Sequence, residues 1–160
     1  MQDFERIYAE HVDAVRAYVR RRAHPDMVED VVADTFVVAL RKPDSLPRDL
    51  LPWLYAVARK TLANARRKEE RTLPLVPEVA REPEPAGDAR LAAAFAALGE
   101  RDREVLRLVA WEGLALRDAA TVLDCSPVAC RVRYHRAKSR LAALLEAPAS
   151  FRPEPKGVMR

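Results

Sequence analysis

Residues 114–141 read LALRDAATVLDCSPVACRVRYHRAKSRL, and this stretch decides how the second half of the chain folds. A short apolar-periodic helix ends at Leu123, Asp124-Cys125-Ser126 form a turn, and Pro127 opens a second helix whose pattern runs on through Leu145. Proline is well placed there, because the first-turn N–H it lacks has no intrahelical partner in any case. Two helices joined by such a turn make a DNA-binding helix-turn-helix, with the second helix directed at the major groove. Glycine is usual at the position of Asp124, where the chain tends toward positive φ; aspartate tolerates that region better than most residues. Cys125 supplies a small apolar plug between the helices, and packing, rather than redox chemistry, is the expected role of Cys125 and Cys130.

The second of these helices has two faces. Cys130, Tyr134, Ala137 and Leu141 fall in one narrow sector and are expected to face the core. Val128, Val132, His135 and Ser139 point the opposite way, with Arg131, Arg136 and Lys138 on the flanks. From Arg131 to Arg140 there are five basic side chains and no acid, a charge density that suits a phosphate backbone. Val128 and Val132 suit thymine methyls, while the arginines suit phosphates or guanine edges. Val128, Arg131, Val132, His135, Arg136 and Lys138 are therefore the candidate duplex-reading residues.

The rest of the composition narrows the choice. The chain has 160 residues with 4 glycines and 12 prolines, and 49% of it is hydrophobic. Such a balance favours helices over hairpins, and no alternating β-branched run is long enough for a strand. The net charge of +4 hides segregation: residues 59–71 carry about +4, residues 131–140 carry +5, and residues 72–88 about −3. Two basic blocks around an acidic spacer point to two contacts with nucleic acid. The histidines (His11, His24 and His135) are scattered and the two cysteines lack zinc spacing, so no metal or cofactor is expected. No phosphate loop or nucleophile motif is present in the sequence, so no catalytic residue is expected either. The charged N-terminus and the lack of a long apolar run lead us to expect a cytoplasmic chain without membrane insertion.

In the first half, Phe4, Ile7, Tyr8, Val12, Val15, Tyr18 and Val19 recur at three- and four-residue steps and predict a helix over 3–22. His24-Pro25-Asp26 breaks it; a second helix is expected over 27–42 and a third over 52–70, separated by Pro43, Pro47 and Pro52. Residues 72–87, with Pro74, Pro77, Pro83 and Pro85, read as an extended linker. Asp88 is a plausible N-cap for a second domain (88–147) with helices at 89–98, 101–111, 116–123 and 127–146, followed by a loose tail over 148–160. The expected fold is all-α: a three-helix bundle (1–71) and a four-helix helix-turn-helix domain.

Two further constellations lie in the first domain. Asp30 and Asp34, four apart, share a helix face with Ala33 and Val37, and Glu29 precedes them. Acids near a helix N-terminus also simply favour the dipole, yet carboxylates beside small apolar residues make a docking stripe for a basic partner. On the third helix, Arg59, Lys60, Arg66, Arg67 and Lys68 interleave with Tyr55, Thr61 and Asn64. Cations with an aromatic and an amide suit melted or single-stranded DNA. Trp53 is assigned to the core.

These constellations, in this order, resemble the extracytoplasmic-function (ECF) sigma factors, the smallest members of the primary sigma family. Asp30, Asp34 and Phe36 match that family's Asp-x-x-x-Asp-x-Phe, with Ala33 in place of its glutamine. Trp53, Leu54, Tyr55, Val57, Ala58 and Arg59 match the next motif, after which Lys60 and Asn64 replace asparagine and aspartate. Leu98, Arg103, Glu104, Val105 and Leu106, then Glu112-Gly113-Leu114, then the helix from Cys130 to Leu141 follow the family's second domain. The resemblance implies a dissociable polymerase subunit. Its first domain (sigma region 2) docks on the clamp helices of core RNA polymerase through Glu29, Asp30, Asp34 and Val37. It then captures the melted minus-ten element through Tyr55, Arg59, Lys60, Asn64, Arg66 and Arg67. The second domain (sigma region 4) reads the minus-thirty-five element of promoter DNA, and an anti-sigma factor is a further partner the resemblance implies. The alternative is a regulator that binds an operator alone; it explains the second domain but neither the acidic stripe nor the basic aromatic helix.

Overall fold

The computed structural model describes residues 2–72 and 88–147. Every regular element among them is helical: α1 (Gln2–Arg20), α2 (Val28–Arg41), α3 (Leu50–Thr72), α4 (Ala89–Ala97), α5 (Glu100–Ala110), α6 (Leu116–Leu123) and α7 (Pro127–Glu146), with 3₁₀ turns at Pro25–Met27 and Pro43–Ser45. Thr72, expected to open the linker, ends α3; the rest of the expected linker and the expected tail lie outside the described residues.

Two helix ends differ from the sequence expectation. α1 stops at Arg20 rather than Arg22. The Arg22 N–H turns back to the Val19 carbonyl at 3.0 Å, a tightened last turn that frees both arginine side chains from the helix surface. α3 begins at Leu50, two residues before Pro52. Pro52 still lies in the first turn, where a missing N–H breaks no helical bond.

The α1–α3 bundle closes around Val15, Tyr18, Val19, Val31, Val32, Phe36, Leu54, Ala58 and Leu62, each no more than 3% exposed. Thr35, fully buried among them, donates its hydroxyl to the Val31 carbonyl at 2.7 Å and so carries no unsatisfied group inward. In the second half, Val105 and Leu108 of α5 meet Ala119, Ala120 and Val122 of α6 and Cys130 and Ala137 of α7. Burial, then the adjacent Cys125, pushes the Cys130 thiol above its ordinary range, and both cysteines are free.

The helix-turn-helix turn forms as its residues dictate. Asp124 takes the left-handed conformation (φ 53°, ψ 49°), and the Cys125 N–H reaches the Ala120 carbonyl at 3.1 Å. Ser126 then caps α7, its hydroxyl accepting the Ala129 N–H at 3.1 Å. We expect Ser126→Ala to cost about 1 kcal/mol. That corresponds to a fall of about 2–4 °C in Tm, and calorimetry of the whole chain checks it.

One feature of the architecture departs from the picture of two bodies joined only by a tether. α3 packs directly on α6, and the apolar cores of the two halves form one continuous cluster.

Candidate polymerase and nucleic-acid interfaces

α7 carries the duplex-facing candidates on its outer side. Val128 and Val132 are 73% and 44% exposed, which is far outside the range of core valines, and Arg131, His135, Arg136 and Lys138 are exposed around them. Cys130 and Ala137 lie fully buried on the opposite side, with Tyr134 and Leu141 partly so. The ammonium of Lys138 lies over the Tyr134 ring at 5.3 Å. Arg140 is committed elsewhere: its guanidinium donates to Asp102 of α5 at 2.6 Å, tying α7 to the scaffold. Four of the five cations in this segment thus remain outside ion pairs among the described residues.

α2 exposes Asp30, Ala33, Asp34 and Val37 together, Val37 at 38%. Leu40, 51% exposed, continues the stripe toward the end of the helix, and Tyr8 of α1, 40% exposed, packs edge-on to Phe36 at 4.9 Å beside it. The stripe is therefore acidic at one end and apolar at the other. Glu29 is exposed as well, but its carboxylate pairs with the Arg16 guanidinium of α1 at 3.0 Å. The same contact raises the Arg16 pKa, first by the hydrogen bond and then by the charge of Glu29.

α3 exposes Arg59, Lys60, Asn64, Arg66 and Arg67. Asn64 accepts from Arg67 at 2.8 Å, and Arg66 donates to the backbone carbonyl of Arg22. Tyr55 is not on this face. It is 3% exposed and stacks on Tyr18 at 4.9 Å, so in this structure it is a core residue and not a nucleic-acid contact. The reason is helical spacing: Tyr55 stands three and seven residues before Ala58 and Leu62, both buried. Burial, then the charge of Glu112, pushes its hydroxyl above the ordinary tyrosine range. Trp53 packs, partly buried, against the core.

A group of residues without a predicted role joins the two halves. Arg22, two residues beyond the end of α1, lies between Glu104 of α5 and Glu112 of the following loop. Its Nε donates to Glu104 at 3.0 and 3.1 Å, and its terminal nitrogens donate to Glu112 at 3.0 and 3.1 Å. Arg21 adds a 2.6 Å contact to Glu112, and the Tyr18 hydroxyl donates to Glu104 at 3.3 Å. The side chains of Arg22, Glu104 and Glu112 are only 5%, 10% and 1% exposed. Burial opposes the charge on Arg22, yet the hydrogen bond to Glu112 and the surrounding acids hold its pKa above the usual value. Burial, reinforced by Glu104, drives the Tyr18 hydroxyl well above the tyrosine range.

The sequence model of sigma-70 region 2 matches residues 7–72, and that of sigma-70 region 4 matches residues 88–141. The division falls where the helices divide, with α1–α3 in one match and α4–α7 in the other. A relative in Caulobacter vibrioides, the ECF RNA polymerase sigma factor SigF, is 34% identical over 138 residues, covering 80% of this chain and 77% of its own. The RNA polymerase sigma factor CnrH of Cupriavidus metallidurans is 33% identical, covering 90% and 87%. Among solved structures, RpoE of Bartonella quintana, in complex with the anti-sigma factor NepR, superposes with a TM-score of 0.69 at 27% identity over 91% of this chain and 98% of that one. A helical bundle followed by a helix-turn-helix domain, each matching its own sigma region, defines an RNA polymerase sigma factor. The chain belongs to the ECF sigma factors of the sigma-70 family. Its activity is sigma-directed transcription initiation; an operator-binding regulator has no use for region 2.

Proposed function

We propose that this sigma factor divides its work among three exposed faces. The α2 stripe of Asp30, Asp34 and Val37 docks on basic residues of the clamp helices of core RNA polymerase. The α3 face of Arg59, Lys60, Asn64, Arg66 and Arg67 takes the melted strand of the minus-ten element. The outer face of α7 reads the minus-thirty-five duplex through Val128, Arg131, Val132, His135, Arg136 and Lys138. The observation that carries this reading is the placement of an acidic–apolar face and a cationic face on different helices of one small bundle. A protein partner is thereby separated from a polyanion. An anti-sigma factor is a further partner, since solved relatives such as RpoE are held in complex with one. No helix among the described residues is long and apolar enough to cross a membrane.

The α7 assignment has a direct test in binding of the full chain to duplex promoter fragments. Arg131→Ala and Arg136→Ala are each expected to weaken specific binding. A base contact costs about 1–3 kcal/mol and relaxes one position, whereas a phosphate contact weakens all sequences alike. Arg140→Ala should leave specificity unchanged, because Arg140 already serves Asp102. Equal losses from all three variants on every sequence would make α7 a non-specific basic patch.

A further inference from the structure

Arg22 is a cation of the first domain enclosed almost wholly by carboxylates of the second. Its four contacts to Glu104 and Glu112 are 3.0–3.1 Å long, and Arg107 joins the second-domain side at 3.5 Å from Glu104. Exposed ion pairs contribute little, but these charges have left water, so each requires its partners for as long as the halves stay together. The attraction within such a buried group is largely offset by the desolvation of its members. The result is a junction specific in register yet modest in net strength, and opening it hydrates all its ions at once.

Above the network the halves enclose a cleft of about 720 Å³. Arg59, Lys60, Arg66 and Arg67 of α3 line it from one side, and Arg101 and Arg133, together with Glu100 and Glu104, from the other. Cations outnumber acids in this lining, so the cleft is net positive and suits a polyanion. The cleft has the size of a small-molecule pocket, about 300–1,000 Å³. Promoter elements one and a half duplex turns apart are separated by roughly 51–54 Å. Arg59, Lys60 and Arg67 of α3 and Arg133 of α7 line one cleft, so in the closed chain these two helices stand closer together than that.

We propose that the pairing of Arg21 and Arg22 with Glu104 and Glu112 is an intramolecular latch, which holds the free sigma factor closed and releases before both promoter elements are engaged. The proposal rests on the functional reading above for its consequence, but not for its geometry.

Small-angle X-ray scattering of the full chain, without polymerase or DNA, tests the latch. Wild type should be compact, with a radius of gyration near the value of about 15 Å typical of a 160-residue globule. Glu104→Gln/Glu112→Gln should give a radius of gyration clearly above the wild-type value while keeping its helical circular dichroism. The charge-matched control Glu5→Gln/Glu10→Gln should stay compact. Arg22→Lys, which keeps the charge but cannot reach both carboxylates in a fork, should give an intermediate value and serves as the reporter if the double variant loses helicity. An extended wild type, or variants as compact as wild type, overturns the latch. Wild type from the same preparation is assayed for core-dependent initiation. A compact protein that fails to initiate defeats the functional assignment alone, and an extended one that initiates defeats the latch alone.

Discussion

Asp34→Arg is expected to abolish binding to core RNA polymerase. The side chain is exposed on α2 beside Ala33 and Val37, and the proposed partner surface is basic. Reversal places like charges at close range, which costs several kcal/mol. Each 1.4 kcal/mol is tenfold in affinity, so binding should weaken by at least about a hundredfold. The fold should not suffer, because exposed substitutions away from caps and ion networks shift stability by about 0.5 kcal/mol or less. Glu29→Ala makes a useful contrast. Glu29 is held by Arg16, so its loss should act mainly within the bundle and weaken core binding far less. Co-purification of Asp34→Arg with core at wild-type yield would place the docking face elsewhere.

Shortening the connection between the domains should have an equally large effect on initiation. The segment 72–87 holds 16 residues, including four prolines. Fully extended, it reaches at most about 53–58 Å, against the roughly 51–54 Å between promoter elements. The domains supply part of that span, so the natural length suffices with little excess. Deleting six residues around Pro83 removes about 20 Å of reach. We expect loss of initiation at unchanged promoter spacing, with core binding and duplex binding by α7 retained, measured in parallel on one preparation. Full initiation by the shortened chain would mean that the two domains do not span separated elements.

Much of this molecule is legible in its sequence because its punctuation is strong. Prolines fix the loops before α2, α3 and α7, and Asp88 and Ser126 form the caps of α4 and α7. The two faces of α7 follow from three- and four-residue spacing alone, which already puts Cys130 and Ala137 inward and Val128 and Val132 outward. The same spacing places Tyr55 in the core, and reading it as a DNA contact gave its basic neighbours more weight than its period. The Arg22 network is different in kind. Arg22 and Glu104 stand 82 residues apart, and no periodicity relates them. Arginines at the end of a helix read as ordinary partners of its dipole. It is the contact between the two halves that brings these charges together and buries them.

The most direct test of the account is transcription in a purified system: core RNA polymerase, this protein and a fragment library selected for promoters. Transcripts should start at defined positions only when the protein is present, be lost with Asp34→Arg and shift in sequence preference with Arg131→Ala or Arg136→Ala. Specific binding to duplex DNA without any core-dependent initiation would contradict it.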